Sequence, residues 1–338
     1  MRIQKNISLK KYNTIRIDVK AKEFVKINSD EEIQSLISSG ILKNKKFIIL
    51  GGGSNILFTK NFDGIIVKIN TKGKRVIKEN SEHIFVKVSA GEDWQDFVDY
   101  CIENNFAGVE NLSLIPGTVG AAPVQNIGAY GAELKDVFYE LQAIEIESGK
   151  TIKFTKSNCE FSYRNSIFKN RLRNKYVIIS VVFKLHKHPK IKLEYGNIKQ
   201  ELEKSEIINP GIKEISNAIC NIRRNKLPDV EKIGSAGSFF KNPVVDEEFF
   251  IKLKNKFPEI PAYELPDSKY KLAAGWLIEK SGLKGKTFGN AGIYKDQALV
   301  IVNHGGASSD EIIYVMEKIQ KIVFEKFRVK LQTEVNII

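Results

Sequence analysis

The chain has 338 residues, 42% hydrophobic and 28% charged, which is the make-up of a globular protein of two or three domains and excludes a disordered or collagen-like chain. Its 53 Lys and Arg against 40 Asp and Glu leave +13, a balance suited to phosphorylated small molecules, nucleic acid or acidic lipid. No apolar run reaches the ~18 residues of a membrane span. The basic first twenty residues lack the apolar stretch of a signal peptide, and three scattered cysteines (Cys101, Cys159, Cys220) form neither a disulfide framework nor a metal set.

In chain order, Phe47-Ile48-Ile49-Leu50 reads as a buried strand running straight into Gly51-Gly52-Gly53-Ser54-Asn55. Residues 64–69 and 83–89 read as further strands, the second alternating with period two. Asp93 opens a helix with Trp94, Phe97, Val98, Cys101 and Ile102 on one face. A turn-rich stretch covers residues 111–131, and strands follow at 141–146 and 176–185. A boundary is expected near residues 186–189. Beyond it come a helical stripe through Ile215, Ala218, Ile219 and Ile222, a helix over 268–281, and a helix opened by the capping box Ser308-x-x-Glu311. An alternating strand is expected over 331–338. The reading is α+β, with a nucleotide-binding half at 16–187 and a mixed half at 217–338.

Three glycine-marked turns fall in the first half. Residues 51–55 are bare backbone after a strand, so the main chain can come close to a ligand and aim N–H groups at phosphate oxygens. The dinucleotide fingerprint is absent, because Ile56 stands at its third glycine and no helical period follows; a phosphate-binding Gly-Lys-Ser/Thr is absent too. On its own this loop reads as a plain hairpin turn. Ser89-Ala90-Gly91 is the second turn. The third, residues 115–131, packs four glycines and two prolines into seventeen residues, a length uncommon in a compact domain unless functional. A dinucleotide held across several turns fits all three.

Charge concentrates between Arg164 and Lys232, where 16 basic residues face 7 acidic ones. No nucleic-acid module accompanies this stretch, which leaves an anionic substrate or simple solvation. Arg164 follows Ser162-Tyr163 in a polar turn and is either a carboxylate clamp or a surface arginine. Ser238, in Gly234-Ser235-Ala236-Gly237-Ser238-Phe239-Phe240, is not in a nucleophile elbow and by itself reads as a turn residue. Glu334 lies on the polar face of the last strand. His83, His186, His188 and His304 have no metal-ligand spacing, so no metal is expected.

The strings LGGGSN, IPGTVGAAPVQNIGAYG, FSYRNSIFK, KLPD and GSAGSFFKNP, in this order, resemble the UDP-N-acetylenolpyruvoylglucosamine reductase family over nearly the whole chain. The resemblance implies a non-covalent FAD in a domain of the vanillyl-alcohol-oxidase (PCMH) type, NADPH as hydride donor and a UDP-sugar substrate. It also implies reduction of the enolpyruvyl group to UDP-N-acetylmuramate for peptidoglycan by a cytoplasmic enzyme, with no nucleic-acid or membrane partner and with a monomer expected. It places catalytic roles on Arg164, Ser238 and Glu334. Cofactor contacts fall on Gly51, Gly52, Gly53, Ser54, Asn55, Gly91, Pro116, Gly117, Thr118, Gly120, Ala121, Gln125, Asn126, Gly128 and Tyr130. Substrate contacts fall on Tyr195, Lys226, Asn242 and Gln297. Residues 188–216 are similar to the insertion of the longer class, whose tyrosine closes over substrate. Two departures stand out: Ser238 where some relatives carry cysteine, and Thr333 where proline is common. A related FAD oxidoreductase with another substrate, and a basic nucleic-acid-binding protein, are the alternatives.

Overall fold

The computed structural model describes residues 1–338 and divides them into two compact units. One comprises Met1–Ile7, Ala21–Gly52 and Phe62–Arg223; the other comprises Ser8–Lys20, Gly53–Asn61 and Arg224–Ile338. These differ from the contiguous spans 16–187, 188–216 and 217–338, and in each case packing is the reason.

The first unit holds two sheets. A four-stranded sheet has the order Ile3–Ser8, Lys20–Ile27, Phe62–Ile69, Phe47–Leu50, and Phe62–Ile69 runs parallel to both of its neighbours. A five-stranded antiparallel sheet has the order Thr151–Thr155, Phe138–Glu145, Tyr176–His186, His83–Ser89, Lys74–Glu79. Its central strand is buried without a break from Val177 to Phe183, which explains its continuous apolar sequence in place of alternation. The helix Trp94–Glu103 forms as its spacing predicts. Asp93 caps it by accepting from the Gln95 and Asp96 N–H groups, and Trp94, Phe97, Val98 and Cys101 are buried. The Trp94 and Phe97 rings meet Phe183 of the central strand, at centroid separations of 5.9 and 4.5 Å. The buried indole N–H of Trp94 is satisfied by the Leu112 carbonyl at 2.8 Å.

Residues 188–216 join this unit through a small core of their own. The helices Ile198–Lys204 and Ile212–Lys226 bury Ile198, Leu202, Ile215, Ala218 and Ile219 together, and Tyr130 and Leu193 pack against them. No helix of the chain is long and apolar enough to cross a membrane.

The second unit is built on an antiparallel sheet in the order Gly234–Ser238, Val300–Asn303, Ala291–Ile293, Thr287–Phe288. The capping box is present: Ser308 accepts from Glu311 N–H, and the helix Ser309–Phe327 buries Ile312, Val315, Met316, Ile319, Val323 and Phe327. Two early segments belong here because hydrogen bonds hold them. The Ser235 N–H donates to the Thr14 carbonyl at 3.0 Å, and Asn303 Nδ2 donates to the Ile15 carbonyl at 2.9 Å. The strand Ile56–Leu57 pairs in parallel with Asn336–Ile337.

Two elements depart from the sequence reading. The helix expected over 268–281 is a strand, Lys269–Leu272, followed by the helix Ala274–Lys280. The strand pairs on both sides, with Val244–Asp246 and Ala262–Leu265, so available partners outweigh local helix pattern. The strand expected over 331–338 shrinks to Asn336–Ile337. Leu331 and Val335 are buried as the alternation requires, but Ile337 is 39% exposed.

Candidate active site

In the first unit the three glycine-marked turns come together. A Cβ on Gly52 would lie 2.7 Å from the Gly117 Cα, and one on Gly51 would lie 2.5 Å from Thr118 Oγ1. A Cβ on Gly120 would lie 2.5 Å from Ala90 Cβ, and one on Gly91 would lie 2.4 Å from the Thr71 N. Real Cβ atoms do not approach so closely, so each glycine is required by the neighbouring turn. Gly117 is needed a second time, for its φ of 136°. The turns also bond to one another: Gly120 N–H donates to Ala90 O and Val119 N–H to Glu92 O, both at 2.9 Å, and Trp94 N–H donates to Gly117 O at 3.0 Å. The amide groups of Gly52 and Gly53 donate none of the loop hydrogen bonds. A cradle of bare backbone whose Gly52 and Gly53 N–H groups are not used by other backbone carbonyls suits a diphosphate, and in this respect the residues fit a flavin dinucleotide.

Not every predicted contact residue presents its side chain. Asn126 is fully buried with φ of 47°. Its Nδ2 donates to Glu133 Oε2 at 3.0 Å and to the Ser162 carbonyl at 3.1 Å, and its Oδ1 accepts from Lys135 N–H. This side chain holds the long loop in shape and ties it to the arginine turn.

That turn presents Arg164. Ser162 and Asn165 bond to each other through N–H and carbonyl at 3.1 Å each way, and Arg164 has φ of 52°. Ser166 Oγ donates to Val124 O at 2.7 Å, fastening the turn to the glycine loop. Arg164 Nη2 donates to Gly128 O at 2.6 Å, and its guanidinium lies 5.6 Å from the Tyr163 ring centroid. A second guanidinium, Arg223, lies in the same neighbourhood. Burial holds its pKa below the usual arginine range, its guanidinium donates to the Tyr130 hydroxyl oxygen, and its buried Nε has no partner. In the sequence Arg223 only follows the helical stripe that ends at Ile222.

Tyr195 lies on the same unit, 51% exposed. Its ring rests on Gly131, where a Cβ would meet it at 2.3 Å, while Gly196 packs on the Tyr130 ring. Asn111, 3% exposed, donates to both the Tyr130 carbonyl at 2.9 Å and the Lys192 carbonyl at 3.1 Å, so one amide fastens the glycine loop to the tyrosine segment. Sequence pattern carried no signal for this residue, because both its partners are backbone atoms of distant segments.

In the second unit Ser238 ends its strand at a bulge. Ser235 pairs with Val302 and Ser238 with Val300, so Ala236 and Gly237 stand against Ile301 alone. Gly237 has φ of 70°, and its N–H donates to Ser235 Oγ. A bulge of this kind re-aims the side chain that follows it. Glu334 is brought to the same place: its N–H donates to Phe239 O, and Lys241 N–H donates to Gln332 O, both at 2.9 Å. The runs carrying Ser238 and Glu334 therefore lie side by side. Asn242 Oδ1 accepts from Ala274 N–H at 3.0 Å at the start of the helix Ala274–Lys280, and Gln297 Oε1 accepts from Leu299 N–H at 3.3 Å. Lys226 is exposed at the end of its helix.

Comparison with known proteins agrees with this architecture. A profile described as an FAD binding domain matches residues 21–155, and one described as the UDP-N-acetylenolpyruvoylglucosamine reductase C-terminal domain matches residues 228–338. The reductase of that name from Flavobacterium johnsoniae is 50% identical with both chains covered in full, and the one from Amoebophilus asiaticus is 45% identical, likewise in full. The chain belongs to the UDP-N-acetylenolpyruvoylglucosamine reductase family. The crystal structure of the UDP-N-acetylenolpyruvylglucosamine reductase of Thermus caldophilus shares the fold, at a TM-score of 0.70 and 23% identity over 100% of this chain and 99% of that one. Membership in this reductase family makes the chain an FAD-dependent oxidoreductase, with the PCMH-type domain at its flavin end. The cradle of residues 51–52, 90–91 and 117–120 lies where the FAD-binding profile matches.

Proposed function

We propose that the chain reduces the enolpyruvyl group of UDP-N-acetylenolpyruvoylglucosamine with NADPH to give UDP-N-acetylmuramate, acting in the cytoplasm, and that Arg164, Ser238 and Glu334 carry the chemistry of the protein side. The cytoplasmic setting is supported by three buried cysteines that are all free. When bound, FAD supplies hydride transfer from NADPH to the terminal carbon of the enolpyruvyl group. Gly51, Gly52, Gly91, Gly117, Thr118 and Gly120 would hold it through backbone and small side chains.

Adding hydride to an enol ether leaves negative charge at the α-carbon, and that charge spreads into the neighbouring carboxylate. The site must therefore supply positive charge and a proton. Arg164 offers a permanently charged planar fork for the carboxylate, aimed by its hydrogen bond to Gly128 O. The Ser238 hydroxyl gives its proton to the α-carbon and is reprotonated from solvent. Glu334 orients the same end of the substrate. Tyr195, Lys226, Asn242 and Gln297 bind the sugar nucleotide, with Lys226 and Tyr195 at its diphosphate.

The observation that carries this reading is the backbone pairing that sets Glu334 beside the Ser238 bulge. The test uses the colour of the purified protein: NADPH should bleach its visible flavin absorbance, and the enolpyruvyl sugar nucleotide should restore it. A protein that NADPH bleaches but that this sugar nucleotide does not recolour has a different substrate.

A further inference from the structure

Lys68 lies on the strand Phe62–Ile69, opposite Leu50 of the neighbouring parallel strand. The alternate residues Ile65, Val67 and Ile69 enter the core, so Lys68 points to the other face. Its Nζ donates to the carbonyl of Gly51 at 2.5 Å. That carbonyl begins the first glycine turn, and every peptide bond of the chain is trans. In a trans peptide the C=O and the following N–H point in opposite directions. An ammonium that pulls the Gly51 carbonyl inward therefore turns the Gly52 N–H outward, and Gly52 N–H donates none of the loop hydrogen bonds.

The charge of Lys68 is also unspent. It makes no ion pair, whereas its neighbour Lys72 pairs with Glu92 at 3.5 Å. The charged groups that act on Lys68 are Lys72 and Lys26, which oppose its protonation, and Asp93, which favours it; burial adds the largest effect and brings its pKa down to about 8. A half-buried cation among cations, hydrogen-bonded to the first turn of a backbone cradle, favours an anion nearby.

We propose that Lys68 supports binding of the FAD diphosphate from behind the Gly51–Gly52 peptide, fixing the Gly52 N–H toward it and placing a positive charge on the far side of the same peptide. This rests on the reading that the diphosphate lies on the turn at Gly51 and Gly52.

The experiment compares FAD with riboflavin, which has the same ring and no phosphate, by fluorescence titration of the flavin-stripped full chain. Lys68→Met should weaken FAD by about 10- to 100-fold, the range for a hydrogen bond to a charged group, and leave riboflavin unchanged; Lys68→Arg should recover most of the loss. Equal loss of both ligands would make Lys68 a support of the turn's fold and overturn the proposal, as would no change in either. Gly52→Ala, whose Cβ would strike Gly117, separates the two ideas. Weak FAD binding in Gly52→Ala beside normal binding in Lys68→Met refutes Lys68 alone; normal binding in both refutes the location of the diphosphate. Should Lys68→Met not fold, the unaltered protein still decides. Phosphate binding holds the proton on Lys68, so FAD affinity should fall as pH rises from 7 to 9 while riboflavin affinity stays level. Parallel pH profiles for the two ligands would overturn the proposal.

Discussion

Replacing Ser238 by alanine should separate the protein's two half-reactions. The substitution costs the fold little. Ser238 is held through its backbone, by pairing with Val300 and by the adjoining Phe239 N–H bond to Leu299 O, and no side-chain hydrogen bond of its hydroxyl has to be broken. Stability should change by no more than about 0.5 kcal/mol, the ordinary range for a substitution outside core and caps. Ser235, three residues earlier, makes a useful contrast: its Oγ accepts the Gly237 N–H inside the bulge, so Ser235→Ala should disturb the strand itself. The kinetic cost of Ser238→Ala falls on one step. Reduction by NADPH needs no proton at the substrate α-carbon and should proceed at near the normal rate in stopped flow. Reoxidation by the enolpyruvyl sugar nucleotide should slow by roughly 10²- to 10⁴-fold, about 2.7 to 5.4 kcal/mol of barrier at 1.36 kcal/mol per decade. Ser238→Cys, which keeps a donor, should recover much of the loss. Equal slowing of both half-reactions would mean that the bulge is structural, and normal reoxidation in the alanine variant would end the proton-donor assignment.

Four further outcomes are expected. Lys226→Ala should raise KM for the sugar nucleotide while flavin content, measured by absorbance after purification, stays constant; an unchanged KM removes Lys226 from the site. Asn111→Ala leaves the Tyr130 and Lys192 carbonyls without their donor and should cost about 1–3 kcal/mol in denaturant unfolding. Glu110 is 4% exposed, and burial raises its pKa even though Gly108 N–H bonds to it. An acid whose folded pKa is raised binds its proton more tightly in the folded state, so it lowers stability as pH climbs from its unfolded pKa through the folded one. Glu110→Gln should accordingly melt higher than the parent at pH 7 and the same below about pH 4, near the bottom of that window; a lower melting point at pH 7 would refute this. Acid or heat should release free FAD into the supernatant, because the cradle glycines and their turns contain no cysteine or histidine to tether it.

What could be read in the sequence follows the range of the interactions involved. The helix Trp94–Glu103 and the capping box at Ser308 are local, and local spacing sufficed. The glycine turns were legible as turns, but that Gly52 packs on Gly117 and Gly120 on Ala90 depends on contacts between turns separated in the chain. Lys269–Leu272 was read as helix because Lys269-Tyr270-Lys271-Leu272 has no strong pattern of its own, and pairing on both edges decides its state. Lys68 and Asn111 act on carbonyls of segments far away in the chain, which leave no trace in spacing. Arg164, Ser238 and Glu334 are singled out in the sequence only by the family resemblance of the motifs around them, and the bulge at Ser238 and the bond from Glu334 N–H to Phe239 O appear only in three dimensions.

The return of residues 8–20 and 53–61 to the second unit has a consequence for how the chain is made. Asn303 meets Ile15 across a sequence separation of 288 residues. At synthesis rates of about 5–20 residues per second the early partner waits roughly 15–60 s on the ribosome before the late one emerges. During that time the apolar side chains of Ile15, Ile17, Leu57 and Phe58, all buried in the finished protein, have only each other's short segments and none of residues 224–338 of their unit to cover them. The second unit can close only after the bulk of the first has been translated. A fragment cut at residue 224 would lack the segments that cover Asn303 and the strand Gly234–Ser238. Chaperone dependence, slow refolding from denaturant and failure of the isolated second half to fold are the expected marks of that wiring.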